Sequence, residues 1–99
     1  MELKRVVVTG LGAVTPLGNS VPEFWDNLVK GVSGAAPITH FDATNFKTKF
    51  ACEVKDFDAT KYFDRKEARK LDLYAQYAIA SAKEALDHSG LDLETIDKD

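Results

Sequence analysis

What this sequence has little of sets its first limits. A single cysteine, Cys52, among 99 residues excludes an internal disulfide framework and suits a reducing cytoplasm. There are two histidines, His40 and His88, and nothing near His40 completes a metal site. No apolar run approaches the roughly 20 residues that a membrane-spanning helix needs. No excess of cations is present either: 13 Lys and Arg face 16 Asp and Glu, for a net charge of −3, which argues against bulk nucleic-acid binding. Met-Glu-Leu-Lys-Arg leads directly into an apolar stretch without the h-region of a secretory signal, so a cytoplasmic protein is expected. Internal repeats and low-complexity segments are lacking. What remains, 44% hydrophobic and 29% charged, is the composition of a soluble globular protein, one small domain or part of a larger one.

The opening stretch, Arg5 to Gly18, organises the rest. Val6, Val7 and Val8 are consecutive β-branched residues with Leu3 just upstream. A strand with one wet face alternates apolar and polar residues; this one does not, so it predicts a strand buried on both faces of a central sheet. Gly10 and Gly12 let the chain leave that strand through backbone angles or close contacts that a Cβ would hinder. A dinucleotide-binding turn would need a third glycine where Thr15 stands and a helix where Pro16 stands, and no Gly-Lys-Ser or Gly-Lys-Thr follows. The stretch is therefore expected to be a tight structural turn.

Ser20-Val-Pro-Glu23 reads as a helix start, with Ser20 capping, Glu23 reaching back and Pro22 in the first turn. The i,i+4 pairs Phe24/Leu28 and Trp25/Val29 give a short amphipathic helix ending at Gly31, with Trp25 expected in the core. Residues 32–49 read as irregular, with Phe41 and Phe46 pinning the segment to the body and His40 in a structural, hydrogen-bonded role. Phe50 to Val54 is a short expected strand, with Phe50, Cys52 and Val54 on one face. Reactive cysteines sit at helix N-termini or beside a cation or histidine; a mid-strand position offers neither, so Cys52 is expected to be a buried, inert thiol.

Asp64-Arg-Lys-Glu67 is a capping-box pattern, and Gly90 suits a helix end. Between them about 25 residues would span about 37 Å as one helix. From Leu71 to Leu86 it is apolar around most of its circumference, with small residues at Ala75, Ala78, Ala82 and Ala85, which predicts burial inside a larger body. His88 near its C-terminus is explained by the helix dipole. Arg65, Lys66, Arg69 and Lys70 crowd cations at the expected positive end of that dipole, and Lys66, Arg69 and Lys70 share a face at i, i+3, i+4. Two readings stand side by side: an anion docks on this face, or it is solvated and offset by Glu67 and Asp72. The elements are too few to cover both faces of a sheet and also bury the long helix, and the tail from Leu91 to Asp99 adds no core element. The expectation is a single incomplete α/β domain over residues 1–99, the front of a larger one.

VVVTGLGAVTPLGN at the start, HFD at 40–42, FACEVKDFD at 50–58 and DRKEARKLD at 64–72 together resemble the β-ketoacyl-acyl-carrier-protein synthases, most closely the synthase II type of bacterial fatty-acid synthesis. The resemblance runs over nearly all the chain, in order, and over about the first quarter of a family member. It implies the thiolase-like fold, layered α-β-α-β-α, of which this stretch is an N-terminal piece. It also implies a decarboxylating condensation without a cofactor. An active-site cysteine takes an acyl group from a carrier-protein thioester, and malonyl on a second carrier loses CO₂. The carbanion then attacks the acyl-enzyme, with two histidines stabilising charge on the malonyl thioester. All three catalytic residues of the family lie beyond this stretch, so Cys52, His40 and His88 receive no catalytic role and the chain alone is expected to be inactive. The implied partner is the acyl carrier protein bearing acyl and malonyl phosphopantetheine thioesters, received at the RKxxRK motif by Lys66, Arg69 and Lys70. A homodimer is implied for the intact enzyme. Three other readings remain open: a non-catalytic chain-length-factor subunit of the same fold, a free-standing carrier-binding module, and a nicotinamide-dependent oxidoreductase.

Overall fold

In a computed structural model, which describes residues 2–96, the organising element is a helix of 17 residues, Leu73–Ser89, here α3. Before it come α1 (Val21–Val29), an antiparallel pair β1 (Ala35–Pro37) and β2 (Phe50–Cys52), a 3-10 turn (Ala59–Lys61), and α2 (Arg65–Lys70).

The opening stretch lies directly on the backbone of α3. A Cβ at Gly12 would stand 1.8 Å from the Ser81 carbonyl oxygen, and one at Gly10 would stand 2.1 Å from that of Ala85. Only glycine permits that approach, and Ser81, Ala85 and Ser89 keep the facing side of the helix low. Side chains of α3 then fix the contact. Glu84 accepts from the backbone N–H of Ala13 and, with its other oxygen, from that of Val21, each at 2.9 Å. His88 Nδ1 accepts from the Leu11 N–H at 3.1 Å. Thr15 to Gly18 closes as a tight turn through reciprocal backbone bonds of 2.8 and 3.1 Å, as the sequence predicts. Three clips surround that turn. Asn27 donates to the Leu17 carbonyl, Asn19 donates to that of Lys55, and the Lys55 ammonium reaches the carbonyls of Pro16, Gly34 and Glu53.

The buried opening strand is not formed. Residues 3–9 run without a ladder, and Val6 is 91% exposed. A strand exists by virtue of its neighbours' N–H and C=O groups, and no segment among the described residues offers them to this one. The burial expected of this apolar run is not met among the described residues.

Helix α1 follows its local signals. Ser20 caps it by accepting from the Glu23 N–H at 3.3 Å. At the other end Gly31 takes φ 74°, and Val32 N–H to Asn27 O with Gly31 N–H to Leu28 O forms the paired bonds of a Schellman cap. Its apolar face is open, however: Trp25 is 61% exposed, contrary to a core role. Part of the segment expected to be irregular supplies β1, whose Ala36 pairs with Ala51 of β2. Nothing covers the outer face of this two-stranded sheet, so Phe50 and Cys52 are both exposed, and Cys52 is not the buried thiol expected. Phe41 and Phe46 meet each other edge to face at 5.5 Å instead of pinning the loop to the body.

The expected 25-residue helix is two helices. Leu71 and Asp72 both take extended backbone angles, ending α2 after six residues and starting α3 afresh. Asp72 stands at the N-cap position of α3, where a carboxylate favours the positive end of the dipole. Gly90 closes α3 at φ 69°. Burial along α3 is local: Ala80 and Gln76 are buried, whereas Leu73, Tyr74 and Ile79 are exposed. Phe57 bridges this helix to the 3-10 turn, edge to face with Tyr77 at 4.9 Å and stacked on Tyr62 at 5.9 Å, beside the buried Phe63. The tail is described as far as Ile96, where Asp92 turns the backbone by accepting from Thr95 and Ile96; the last three residues of the expected tail lie outside the described residues.

The radius of gyration is 17.6 Å, against about 13 Å for a compact domain of this length. With Phe63 and Ala80 as its buried apolar residues, the chain has little core to unfold cooperatively. Expressed alone, the 99-residue chain is expected to melt broadly and to give weak near-ultraviolet circular dichroism. A sharp two-state transition with native-like near-ultraviolet signal would show that the core suffices.

Candidate functional site

The residues singled out by sequence converge on α2. At 100° per residue, Lys66 and Lys70 point to one side, Arg69 stands beside them, and Ala68 faces the opposite way. The structure has this arrangement: Ala68 is half-buried, while Arg65, Lys66, Arg69 and Lys70 are all exposed. None of these four cations forms an ion pair among the described residues, where the pairs present are Lys30–Asp26, Lys83–Asp87 and His40–Glu53.

The end of α2 at Lys70 changes the electrostatics. Arg69 and Lys70 occupy its last turn, near the negative end of the dipole, where a cation is favoured. Only Arg65 and Lys66 lie in the first turn, with Asp64 and Glu67 beside them. The cluster is thus not a set of cations held against a long helix dipole, and no bound anion is needed to explain it.

Both ends of α2 are tied. Asp64 Oδ1 accepts from the Glu67 N–H at 2.8 Å, the cap expected from the sequence. At the other end Gln76, on α3, donates its side-chain amide to the carbonyl oxygens of Ala68 at 2.9 Å and Leu71 at 3.0 Å. Gln76 is 6% exposed, the one buried polar residue among those described. Sequence reasoning missed it, although a glutamine within the apolar stretch from Leu73 to Ala80 is itself a signal that some backbone group nearby lacks a partner. The preceding 3-10 turn packs against α2 and is capped by Asp58. The Thr60 hydroxyl and then the Thr60 N–H hold the Asp58 carboxyl below its ordinary range, against partial desolvation.

The remaining candidates are dispersed. His40 lies in the connection between the strands, and its backbone N–H donates to Glu53 Oε2, whose distance to the imidazole Nε2 is 3.6 Å. Desolvation pushes the Glu53 carboxyl up, but bonds from the Thr39 N–H and hydroxyl and from the His40 N–H outweigh it, leaving a net lowering. This is the structural, hydrogen-bonded role expected for His40. His88 is engaged with Leu11, and Cys52 lies exposed on β2, so each of the three residues excluded from catalysis sits in a separate setting. Among the described residues no group of three His, Cys, Asp or Glu side chains is placed to hold a metal ion. No described helix is long and apolar enough to cross a membrane. A cleft of about 720 Å³ opens between α1 and α3, lined by Leu11, Val21, Trp25, Tyr62, Glu84 and His88 among others.

Comparison with known proteins gives one consistent answer. The family described as "Beta-ketoacyl synthase, N-terminal domain" matches residues 3–99. The 3-oxoacyl-acyl-carrier-protein synthase 2 of Vibrio harveyi is 55% identical over 93 residues, which are 94% of this chain and 22% of that protein. The protein of the same name from Synechocystis sp. is 44% identical over 99 residues, all of this chain and 24% of its own length. Among solved structures, "The ishigamide ketosynthase/chain length factor" superposes with a TM-score of 0.81 at 37% identity, over 91% of this chain and 22% of that one. A second, titled as a type II PKS acyl-carrier protein in complex with its ketosynthase, gives 0.66 at 29% identity, over 96% of this chain and 23% of the other. The chain therefore spans less than a quarter of the relatives it matches. Over that span it belongs to the β-ketoacyl synthase family, as a piece of the ketosynthase N-terminal domain with its thiolase-like fold.

Proposed function

We propose that this chain forms the first part of a condensing enzyme of the kind its relatives are named for, and that α2 receives the acyl carrier protein. The observation that carries the docking reading is the exposed face of Lys66, Arg69 and Lys70, unpaired among the described residues, on a chain whose net charge is −3. A cationic patch on an otherwise acidic protein attracts an acidic partner at that patch and repels it elsewhere. Exposed cations add modestly to the affinity of a formed complex but steer its encounter and fix its register. A carrier protein needs that balance, because it must deliver its thioester, dock in one orientation and leave.

The complete enzyme, in this reading, has the layered α-β-α-β-α fold, acts as a homodimer, and performs the decarboxylating condensation of an acyl-enzyme with malonyl on its carrier. A cysteine and two histidines outside residues 1–99 supply the chemistry. This chain contributes carrier docking and, through the Glu84 and glycine contacts, the seating of its glycine turn on α3.

Charge reversal tests the docking surface. In the full-length synthase, Lys66→Glu, Arg69→Glu and Lys70→Glu together should raise KM for carrier-bound substrate by roughly tenfold or more and flatten its dependence on salt. Unchanged KM and an unchanged salt profile would remove the carrier from this face.

A second reading, a non-catalytic chain-length-factor-type subunit, is favoured by one observation: one of the solved structures it superposes on is a ketosynthase/chain length factor. The two separate by product. The full-length protein alone should form a β-ketoacyl thioester from acyl and malonyl carriers. Product that appears only after a second synthase subunit is added would favour the partner role.

A further inference from the structure

We infer that Gln76 is a positioning residue for carrier docking: by holding the C-terminal end of α2 to α3, it sets the orientation in which the basic face is presented. The inference rests on the docking reading above and goes beyond it, because Gln76 is buried and cannot touch a carrier itself.

The physical case begins with length. α2 has six residues, well below the dozen or so at which an isolated helix becomes even marginally stable in water. Its side chains bring little help, since Ala68 is the one residue of the helix that is not exposed. Something outside the helix must therefore hold it. On its N-terminal side the chain is seated by Phe63 and by the stack of Phe57, Tyr62 and Tyr77, with Asp64 capping the first turn. On its C-terminal side the backbone turns extended at Leu71, so the last carbonyls of α2 have no helical continuation to accept from. Gln76 supplies two donors there: one amide nitrogen, two hydrogens, to the carbonyls of Ala68 and Leu71 at 2.9 and 3.0 Å. No other side-chain donor reaches these two oxygens among the described residues.

The consequence is directional. Without Gln76, the carbonyls of Ala68 and Leu71 turn toward water, and the helix loses the bonds that fix its roll about its own axis. Arg69 and Lys70, in the last turn, lie nearest the lost bonds, so the face would be presented over a spread of orientations. The cations would remain and the long-range attraction would survive, but the docked complex would form with its register only partly set.

The test is the isosteric variant Gln76→Met in the full-length synthase, which keeps the buried volume and removes both donors. The expected result is a rise of about five- to tenfold in KM for carrier-bound substrate, the size of losing one or two modest hydrogen bonds. The value of kcat at saturating carrier should be retained, and so should most of the salt dependence, since the charges are intact. In the same variant, hydrogen exchange at the α2 amides should accelerate while exchange in the rest of the protein holds. Unchanged KM overturns the inference, and so does kcat falling in step with a general loss of exchange protection, which would make Gln76 a plain structural residue. If Gln76→Met fails to fold, exchange in Gln76→Lys decides. A long donor at the same site should keep the α2 amides protected, and unprotected amides in an otherwise folded protein overturn the role. Failure of the docking reading looks different, because charge reversal at Lys66, Arg69 and Lys70 would then leave KM unmoved whatever Gln76 does.

Discussion

The carboxylate of Glu84 is the tie on which the first third of the chain depends. It takes the N–H of Ala13 with one oxygen and that of Val21 with the other, joining the glycine turn, the start of α1 and the middle of α3 at one point. Each bond has an ionised acceptor and a backbone donor in a half-buried setting, the kind worth about 1.5–3 kcal/mol rather than the 1 kcal/mol of a neutral pair. The carboxylate also lies at the N-terminus of α1, where its charge is favoured. The contact is possible only because Gly10 and Gly12 bring bare backbone within reach of α3; with any side chain there, Glu84 would close on nothing. Sequence separations of 71 and 63 residues across these two bonds mean that the topology of the piece is set here, by polar contacts, and not by a sheet.

The same logic recurs wherever elements meet. Lys55 gathers three carbonyls from three segments, Asn27 and Asn19 hold the turn from either side, and Gln76 holds the break between α2 and α3. Side-chain donors finish backbone groups that irregular structure leaves open, since each such group would cost free energy if dried without a partner. These contacts define geometry well and add little net stability, because each replaces a bond to water. Stability has to come from apolar burial, and the described residues contain little of it.

That division explains what was legible in the sequence. Caps are local chemistry, and Ser20, Gly31, Asp64 and Gly90 do what their neighbours predict. The glycine turn and the start of β2 are equally local, and so is the shared face of Lys66, Arg69 and Lys70. Burial is not local. The valine run, Trp25 and Cys52 were read as interior from their own character, and all are exposed here because the surfaces that would cover them are not part of this stretch, which spans under a quarter of its relatives. The split of the long helix was readable in principle. Asp72 is an N-cap residue type standing where α3 begins, although beside the cations it reads equally as a counter-charge. Periodicity continued across the break, and an apolar stripe does not by itself report that two backbone angles have turned extended.

The break also decides how the basic face acts. On one long helix, four cations at the positive end would be strained against the dipole, and an anion bound at that terminus would be the natural relief. On a six-residue helix the last-turn cations Arg69 and Lys70 are favoured by the dipole, and Asp64 and Glu67 offset only part of the first-turn charge of Arg65 and Lys66. No single point on α2 is then a strong anion site. What remains is a small surface of separate cations, exposed and unpaired, able to meet several carboxylates of a partner at once and to give each of them up again. Exposed pairs are individually weak, at about 0–1 kcal/mol, so in the proposed docking binding would stay reversible and specificity would rest on the pattern rather than on any one contact. A pattern carries information only if its elements hold fixed relative positions. In the proposed docking, the basic residues would be only as selective as the backbone beneath them is still, held by the Asp64 cap and the aromatic stack at one end and by the two Gln76 bonds at the other.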